Sequence, residues 1–246
     1  IVFSSQYDAV IRHPWCERQR LRADVAALYL QFGYVPSPYG IVEQTGQLPA
    51  GAMMTWSAAT GSVITNYSPW PEPPEHYLGA AEGADAVHEA VHGAVRRQLV
   101  ADVPVGTFLS GGIDSPLVTA VSRSELGRSI PAFTIGSDSP HFDEAYQASV
   151  YGSHLDVDHT VRTITEGDAL ALFDDVLDAF GEPFGDYSAF PTMLVSRLAR
   201  EQVTVALSGD GGDELFFGYP RMWTALQWRQ LFVLPVLARR ALRKAM

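Results

Sequence analysis

"LSGGIDSP", residues 109–116, decides how this chain is read. An apolar run from Val105 to Leu109, with Gly106 inside it, stops at Ser110 and two glycines. Asp114 and Ser115 follow, and then a helix-like pattern begins. Gly111 and Gly112 let the backbone bend sharply and leave N–H groups uncovered by side chains. Exposed amides at a helix N-terminus attract anions, phosphate above all, and Ser110 and Ser115 add hydroxyl donors. The Gly-Lys-Ser/Thr of a Walker A loop is missing, so another cation must neutralise a phosphate here. Asp114 suits that need if Mg²⁺ lies between carboxylate and phosphate. The competing reading is a plain glycine turn with Asp114 as a helix cap.

Around this stretch the pattern alternates. Helices are expected over Asp85–Val100, Pro116–Leu126, Glu144–Leu155, Gly167–Phe180 and Ala189–Glu201, and strands over Val105–Leu109, Ile130–Ile135, His159–Ile164 and Val203–Leu207. Strands alternating with helices predict an α/β fold, a parallel sheet with helices on both faces. Such sheets bind ligands at the carboxyl ends of their strands. "VALSGDGGDELFFGY", 205–219, repeats the device: a strand, Ser-Gly, and a glycine-rich loop holding Asp210, Asp213 and Glu214. Two such loops at the ends of two parallel strands would face one pocket, where Asp114 and Asp213 could share Mg²⁺ on a polyphosphate. Carboxylates crowded together without metal repel one another strongly. A solvated acidic turn is the alternative for the second loop.

Upstream, "SPWPEPPEHYLGAAEGA", 68–84, holds four prolines and two glycines and reads as a linker. Residues 1–67 precede it, with a short helix over Asp24–Gly33 and two strands, Ala52–Trp56 and Ser62–Tyr67, around a Thr-Gly turn. Residues 85–246 carry the alternating pattern. The chain is 47% hydrophobic, with five Trp and twelve Phe, enough for a sizeable core. A net charge of -11 argues against a nucleic-acid backbone as partner. No stretch approaches the roughly 20 apolar residues of a membrane span. One cysteine, Cys16, fits a reducing cytoplasm and reads as a partly buried thiol. The chain begins at Ile1 without a signal-peptide pattern, as expected of a piece of a longer protein.

"SGGIDS" together with "LSGDGGDELFFGY" resembles the synthetase domain of glutamine-dependent asparagine synthetases, of the ATP pyrophosphatase superfamily. "DVPVGTFLSGGIDSPLVTA" and "FTIGSDSPHFDEAYQA" resemble it too, and "FGYVPSPYGIVEQTGQLPAGAMM" resembles the passage from the family's glutaminase domain. The resemblance implies an adenine-nucleotide α-hydrolase-like (PP-loop) synthetase domain, preceded by the β-rich end of an N-terminal nucleophile glutaminase domain. It places the pyrophosphate-gripping loop on Ser110, Gly111, Gly112, Asp114 and Ser115. It implies backbone contacts to adenine and ribose from Leu109, Ile135, Ser208 and Gly209. Asp114 and Asp213 match magnesium-holding aspartates, and Asp210 matches an acidic position that helps form an acyl-adenylate. In "GEPFGDYSAFPT", 181–192, it makes Glu182, Asp186 and Ser188 candidates for the acceptor pocket. The implied cofactors are ATP and Mg²⁺, and the implied substrates aspartate with ammonia or glutamine; a homodimer is left open.

The chain also departs from that pattern. The family's glutaminase nucleophile is a cysteine at the mature N-terminus, whereas this sequence starts with Ile1. The single lysine, Lys244 in "RRALRKAM", does not match the family's charge-stabilising lysine. "HEAVH", 88–92, fits a helical zinc motif, but no third ligand stands out, and a helix leading to the first sheet strand is the plainer reading. Trp223 and Trp228 are expected to be packing residues. Three functions stay open: an amide-forming ligase of the asparagine synthetase type, a related ATP-dependent β-lactam- or lasso-peptide-forming cyclase, and a non-catalytic nucleotide-binding protein. An acid at 210 favours the first.

Overall fold

The computed structural model describes residues 1–16, 19–69, 72, 76–138, 143–229 and 234–235. In chain order the elements are α1 (Tyr7–Ile11), α2 (Ala23–Phe32), β1 (Ala52–Ser57), β2 (Gly61–Asn66), α3 (Ala80–Gln98), β3 (Val105–Phe108), α4 (Asp114–Leu126) and β4 (Pro131–Ser137). There follow α5 (Ala145–Leu155), β5 (Asp158–Ile164), α6 (Glu166–Ala171), α7 (Phe173–Ala179), α8 (Ala189–Arg200), β6 (Val205–Leu207), α9 (Gly212–Phe216) and α10 (Pro220–Gln227). The chain forms two compact units, one of residues 1–85 and 164–194, the other of 86–163 and 195–246.

The second unit is built on a four-stranded sheet in the order β5-β4-β3-β6. β3 pairs in parallel with β4 on one side and with β6 on the other. Alternation along the strands sorts their side chains to two faces. Phe133 of β4 packs with Leu198 and Ala199 of α8, and Phe108 and Ile135 join them. The intervening Ala132 packs instead against Ala148 of α5. Val95 of α3 and Val121 of α4 enclose Leu207 with Val105. Helices therefore cover both faces of the parallel sheet, as the alternating pattern predicts. A buried polar pair crosses the same interface: the Thr119 hydroxyl donates to Thr107 at 3.1 Å, so neither oxygen is stranded in the apolar layer.

The order of the strands positions the site. The chain leaves β3 for β4 and β5 on one side, then returns to β6 on the other. β3 and β6 are parallel neighbours, so the loops that follow them leave the same end of the sheet side by side, and the carboxyl ends of the strands are where open parallel sheets receive ligands.

The first unit has its own core, Val25, Val35 and Ile41, with Tyr7 and Tyr29 against it. β1 and β2 form an antiparallel hairpin from Ala52↔Asn66 to Ser57↔Gly61. Leu172, Val176 and Ala189 make a second cluster there. Residues 164–194 group with the N-terminal segment, although they follow three sheet strands in sequence.

Several sequence expectations need correction. α3 begins at Ala80, inside the stretch that composition marks as linker, because Ala80, Ala81 and Glu82 favour helix and outweigh Gly83. The helix expected over 167–180 breaks at Leu172, whose φ of -93° and ψ of -1° end α6 and start α7. Leu172 is buried there with Val176, so tertiary packing sets the bend. β4 runs on to Ser137, which leaves Ile135 inside the strand instead of at its end. Trp223 and Trp228 are 57% and 48% exposed. Lys244 lies outside the described residues.

Candidate functional site

β3 delivers its last residues into the 110–113 turn, and α4 begins at Asp114. Leu109 is buried, its N–H donating to the Phe133 carbonyl at 2.9 Å and its carbonyl accepting from the Thr134 hydroxyl at 2.5 Å. Both backbone groups of Leu109 are thus engaged within the sheet unit. The turn is held by its serines. Ser115 Oγ accepts from the Ser110 amide at 2.8 Å and shares a second 2.8 Å hydrogen bond with the Ser110 hydroxyl. Ser110 Oγ also accepts from the Gly112 amide at 3.3 Å. Ile113 occupies the cap position of α4 without a side-chain cap bond, so Asp114 is not acting as a helix cap.

β6 delivers the second loop directly onto the first. A Cβ on Gly209 would lie 2.6 Å from the Ser115 amide nitrogen and 2.9 Å from Asp114 Cβ. A Cβ on Gly212 would overlap the Asp114 carboxylate itself. Both glycines are therefore required by close approach, not by turn geometry alone. Gly218 closes the far side of the loop, donating its amide to the Asp213 carbonyl at 3.0 Å; a Cβ there would overlap the Asp213 carboxylate. Ser208 donates to Asp210 Oδ2 at 3.0 Å and so orients an exposed carboxylate.

The electrostatics follow from this crowding. Burial pushes the Asp114 carboxyl above its ordinary value, and the Asp213 and Glu214 charges push it further in the same direction. Among the described residues no hydrogen-bond donor offsets this. Glu214 is held below its ordinary range mainly by the Tyr219 hydroxyl, which donates to it at 2.6 Å. The Arg221 guanidinium lies 4.5 Å over the Tyr219 ring and adds positive charge beside Glu214.

Ser110, Gly111, Gly112, Asp114, Ser115, Ser208, Gly209, Asp210 and Asp213 thus lie on two adjoining loops of the sheet unit, with Leu109 at the base. Glu182, Asp186 and Ser188 belong to the other unit, where two of their side chains have local work. Glu182 accepts from the Ile41 amide at 3.1 Å and from Gln47 Nε2 at 2.8 Å. Asp186 accepts from the Ser188 amide at 2.8 Å, just ahead of α8. Sequence reasoning missed Glu144, whose carboxylate accepts from the Gly111 amide at 3.1 Å. Its only sequence signal is an acid at the start of the helix after β4. The His88 and His92 rings lie 4.3 Å apart and tilted by 44°, but His92 Nδ1 is bonded to Glu125 at 2.9 Å. Among the described residues no group of three or more His, Cys, Asp or Glu is arranged to hold a metal ion. Among them, too, no helix is long and apolar enough to cross a membrane.

Comparison with known proteins identifies the family. The sequence profile of the asparagine synthase family matches residues 86–246. A protein of Methanocaldococcus jannaschii, provisionally named asparagine synthetase [glutamine-hydrolyzing] 2, is 34% identical over 224 residues. That match covers 89% of this chain and 42% of the relative. Asparagine synthetase [glutamine-hydrolyzing] 1 of Bacillus subtilis is 30% identical over 194 residues, 78% of this chain and 30% of the relative. The chain therefore spans less than half the length of these two relatives. Among solved structures, an NH3-dependent NAD synthetase from Campylobacter jejuni aligns over 55% of this chain and 60% of its own, at 15% identity and a TM-score of 0.39. An NMN synthetase from Francisella tularensis aligns over 55% of this chain and 58% of its own, at 17% and 0.39. These structural likenesses are too distant to carry the assignment, which rests on the family profile over residues 86–246 and on the two loops it contains: the chain belongs to the asparagine synthase family.

Proposed function

We propose that this chain carries the ATP-binding and adenylating part of a ligase that converts aspartate to asparagine through β-aspartyl-AMP, with ammonia drawn from glutamine in the full-length protein. The observation that supports it most is the seating of Gly209 and Gly212 against Asp114 and Ser115. It joins two amide-rich, acid-bearing loops into one crevice, which suits a polyphosphate and its cation. The 110–115 loop receives the pyrophosphate end of ATP. Ser208 and Gly209 lie toward the ribose and adenine, and Ile135 contributes only from within β4.

Asp114 and Asp213 would hold Mg²⁺ together with phosphate oxygens. The fit is good: Asp114 is pressed toward its neutral form by burial and by two acids, strain that a divalent cation relieves. Two protein carboxylates with substrate oxygens are also the usual way of binding this ion. When bound, Mg²⁺ neutralises phosphate charge and steadies pyrophosphate as it departs. Asp210, which accepts a hydrogen bond from Ser208, would assist formation of the acyl-adenylate. In that step the substrate carboxylate oxygen attacks the α-phosphorus, and the bond to the β-phosphate oxygen breaks with its electrons leaving on pyrophosphate. Ammonia then attacks the acyl carbon, AMP leaves, and a proton passes to solvent. Holding both reactants in one crevice supplies the orientation. Glu182, Asp186 and Ser188 remain candidates for the acceptor pocket.

The test is pyrophosphate release by the full-length protein given ATP, Mg²⁺, ammonia and one acceptor at a time. Release that depends on aspartate, with equimolar asparagine formed, is the expected result. Release only with another carboxylic acid, or ATP binding without turnover under every condition, would overturn the reading.

A further inference from the structure

Glu144 occupies an odd place for a helix-capping residue. It stands at the cap position of α5, yet its side chain makes no cap bond. Asp143 does that work, its Oδ1 accepting from the Ala145 amide at 3.0 Å and from the Ser137 amide at 3.3 Å. The Glu144 carboxylate turns instead to the 110–115 loop and accepts from the Gly111 amide at 3.1 Å. Gly111 is shaped to this neighbour: a Cβ there would lie 3.2 Å from both Glu144 Cβ and Gln147 Cβ. The remaining loop amides that are hydrogen-bonded, Ser110 and Gly112, go to serine hydroxyls. Gly111 alone of the three faces an oxyanion, and that oxyanion belongs to the protein.

We propose that Glu144 is a placeholder anion for this loop, which holds the Gly111 amide in the direction a phosphate oxygen uses and yields it when a polyphosphate arrives. This inference rests on reading the 110–115 loop as the polyphosphate site. One N–H cannot serve two oxyanions, and a carboxylate about 3 Å from an incoming phosphate repels it. The repulsion is greatest for a free polyphosphate and least for one whose charge is already offset by a divalent cation. Glu144 therefore makes the loop discriminate: it is a specificity-determining residue favouring metal-chelated over metal-free polyphosphate.

Inorganic pyrophosphate, titrated calorimetrically into the full chain with and without Mg²⁺, tests this. Glu144→Gln keeps the acceptor atom and removes the charge. It should bind metal-free pyrophosphate roughly tenfold more tightly than the wild type, the scale of one charge-assisted hydrogen bond. Its affinity for the magnesium complex should rise no more than about twofold, as for a screened exposed charge. Glu144→Ala should shift the ratio the same way. Adenosine, which lacks phosphate, should bind wild type and variants alike and so report an intact fold. Wild-type binding of pyrophosphate with an unchanged or smaller metal-free affinity in Glu144→Gln overturns the inference. If no protein binds pyrophosphate in any form while adenosine still binds, the reading of the loop fails, and this inference with it.

Discussion

Asp114 has no hydrogen-bond donor to its carboxylate among the described residues, and both neighbouring acids raise its pKa beyond the effect of burial. The sign is clear: a carboxyl whose folded-state pKa lies above 3.8 costs stability as pH rises through that folded value. Asp114→Asn should therefore raise Tm at pH 7, and the gain should vanish as pH falls toward 3.8. The same variant should lower Mg²⁺-dependent pyrophosphate release by about a hundredfold or more, because an electrostatic contact is removed from the reacting phosphates. Calorimetry and a coupled pyrophosphate assay read the two effects. Gly212→Ala is the steric counterpart. Its Cβ would overlap the Asp114 carboxylate, so ATP affinity should fall while overpacking costs about 1–3 kcal/mol in a denaturant titration. Glu182 separates two roles. Its bonds to the Ile41 amide and Gln47 predict that Glu182→Ala destabilises the first unit by about 1–3 kcal/mol. A raised KM for aspartate in the milder Glu182→Gln would additionally place it in the acceptor pocket.

Elements lock together where charges meet across them. Glu125 of α4 receives Arg96 Nε of α3 at 2.8 Å and His92 Nδ1 at 2.9 Å. The Arg96 guanidinium first, then His92, hold the Glu125 carboxyl down to about 2. A depressed carboxyl contributes stability that is present above its ordinary 4.5 and lost as pH falls through the folded value. Glu125→Gln should therefore lower Tm at pH 7, with the gap narrowing below pH 4.5 and closing toward pH 2 in a thermal melt series. The HEAVH segment, legible in the sequence as a zinc motif, is spent on this helix pairing instead. Nothing local could reveal that, since Glu125 lies 33 residues away. The broken helix at Leu172 is a similar case: its periodicity is continuous in sequence, and only burial of Leu172 beside Val176 and Ala189 bends it.

For the whole molecule, a net charge of -11 surrounds a site proposed to take a polyphosphate. Long-range repulsion of this kind is screened over roughly 8 Å at physiological ionic strength. Affinity for metal-free ATP should therefore rise severalfold between about 20 and 150 mM salt, while affinity for the magnesium complex changes little; isothermal titration at the two salt levels reads this. Composition marks residues 68–84 as a linker, whereas the first compact unit takes in residues 1–85 together with 164–194. The return of 164–194 to that unit leaves no trace in composition, because a segment's partners are not written in its own periodicity.

The sequence by itself determined what depends on neighbours in the chain. Alternating strand and helix patterns, and glycine pairs after β3 and β6, follow from backbone freedom and side-chain period, which act over a few residues. Only the tertiary structure decided which loops meet and which groups are already taken. Strand order brought Gly209 and Gly212 onto Asp114 across nearly a hundred residues, committed the Leu109 amide to β4 and turned Glu144 toward Gly111, while the packing of the first unit gave Glu182 to Ile41 and Gln47. These are contacts between remote residues, fixed by how the sheet is ordered and how each core packs, and no local propensity encodes them.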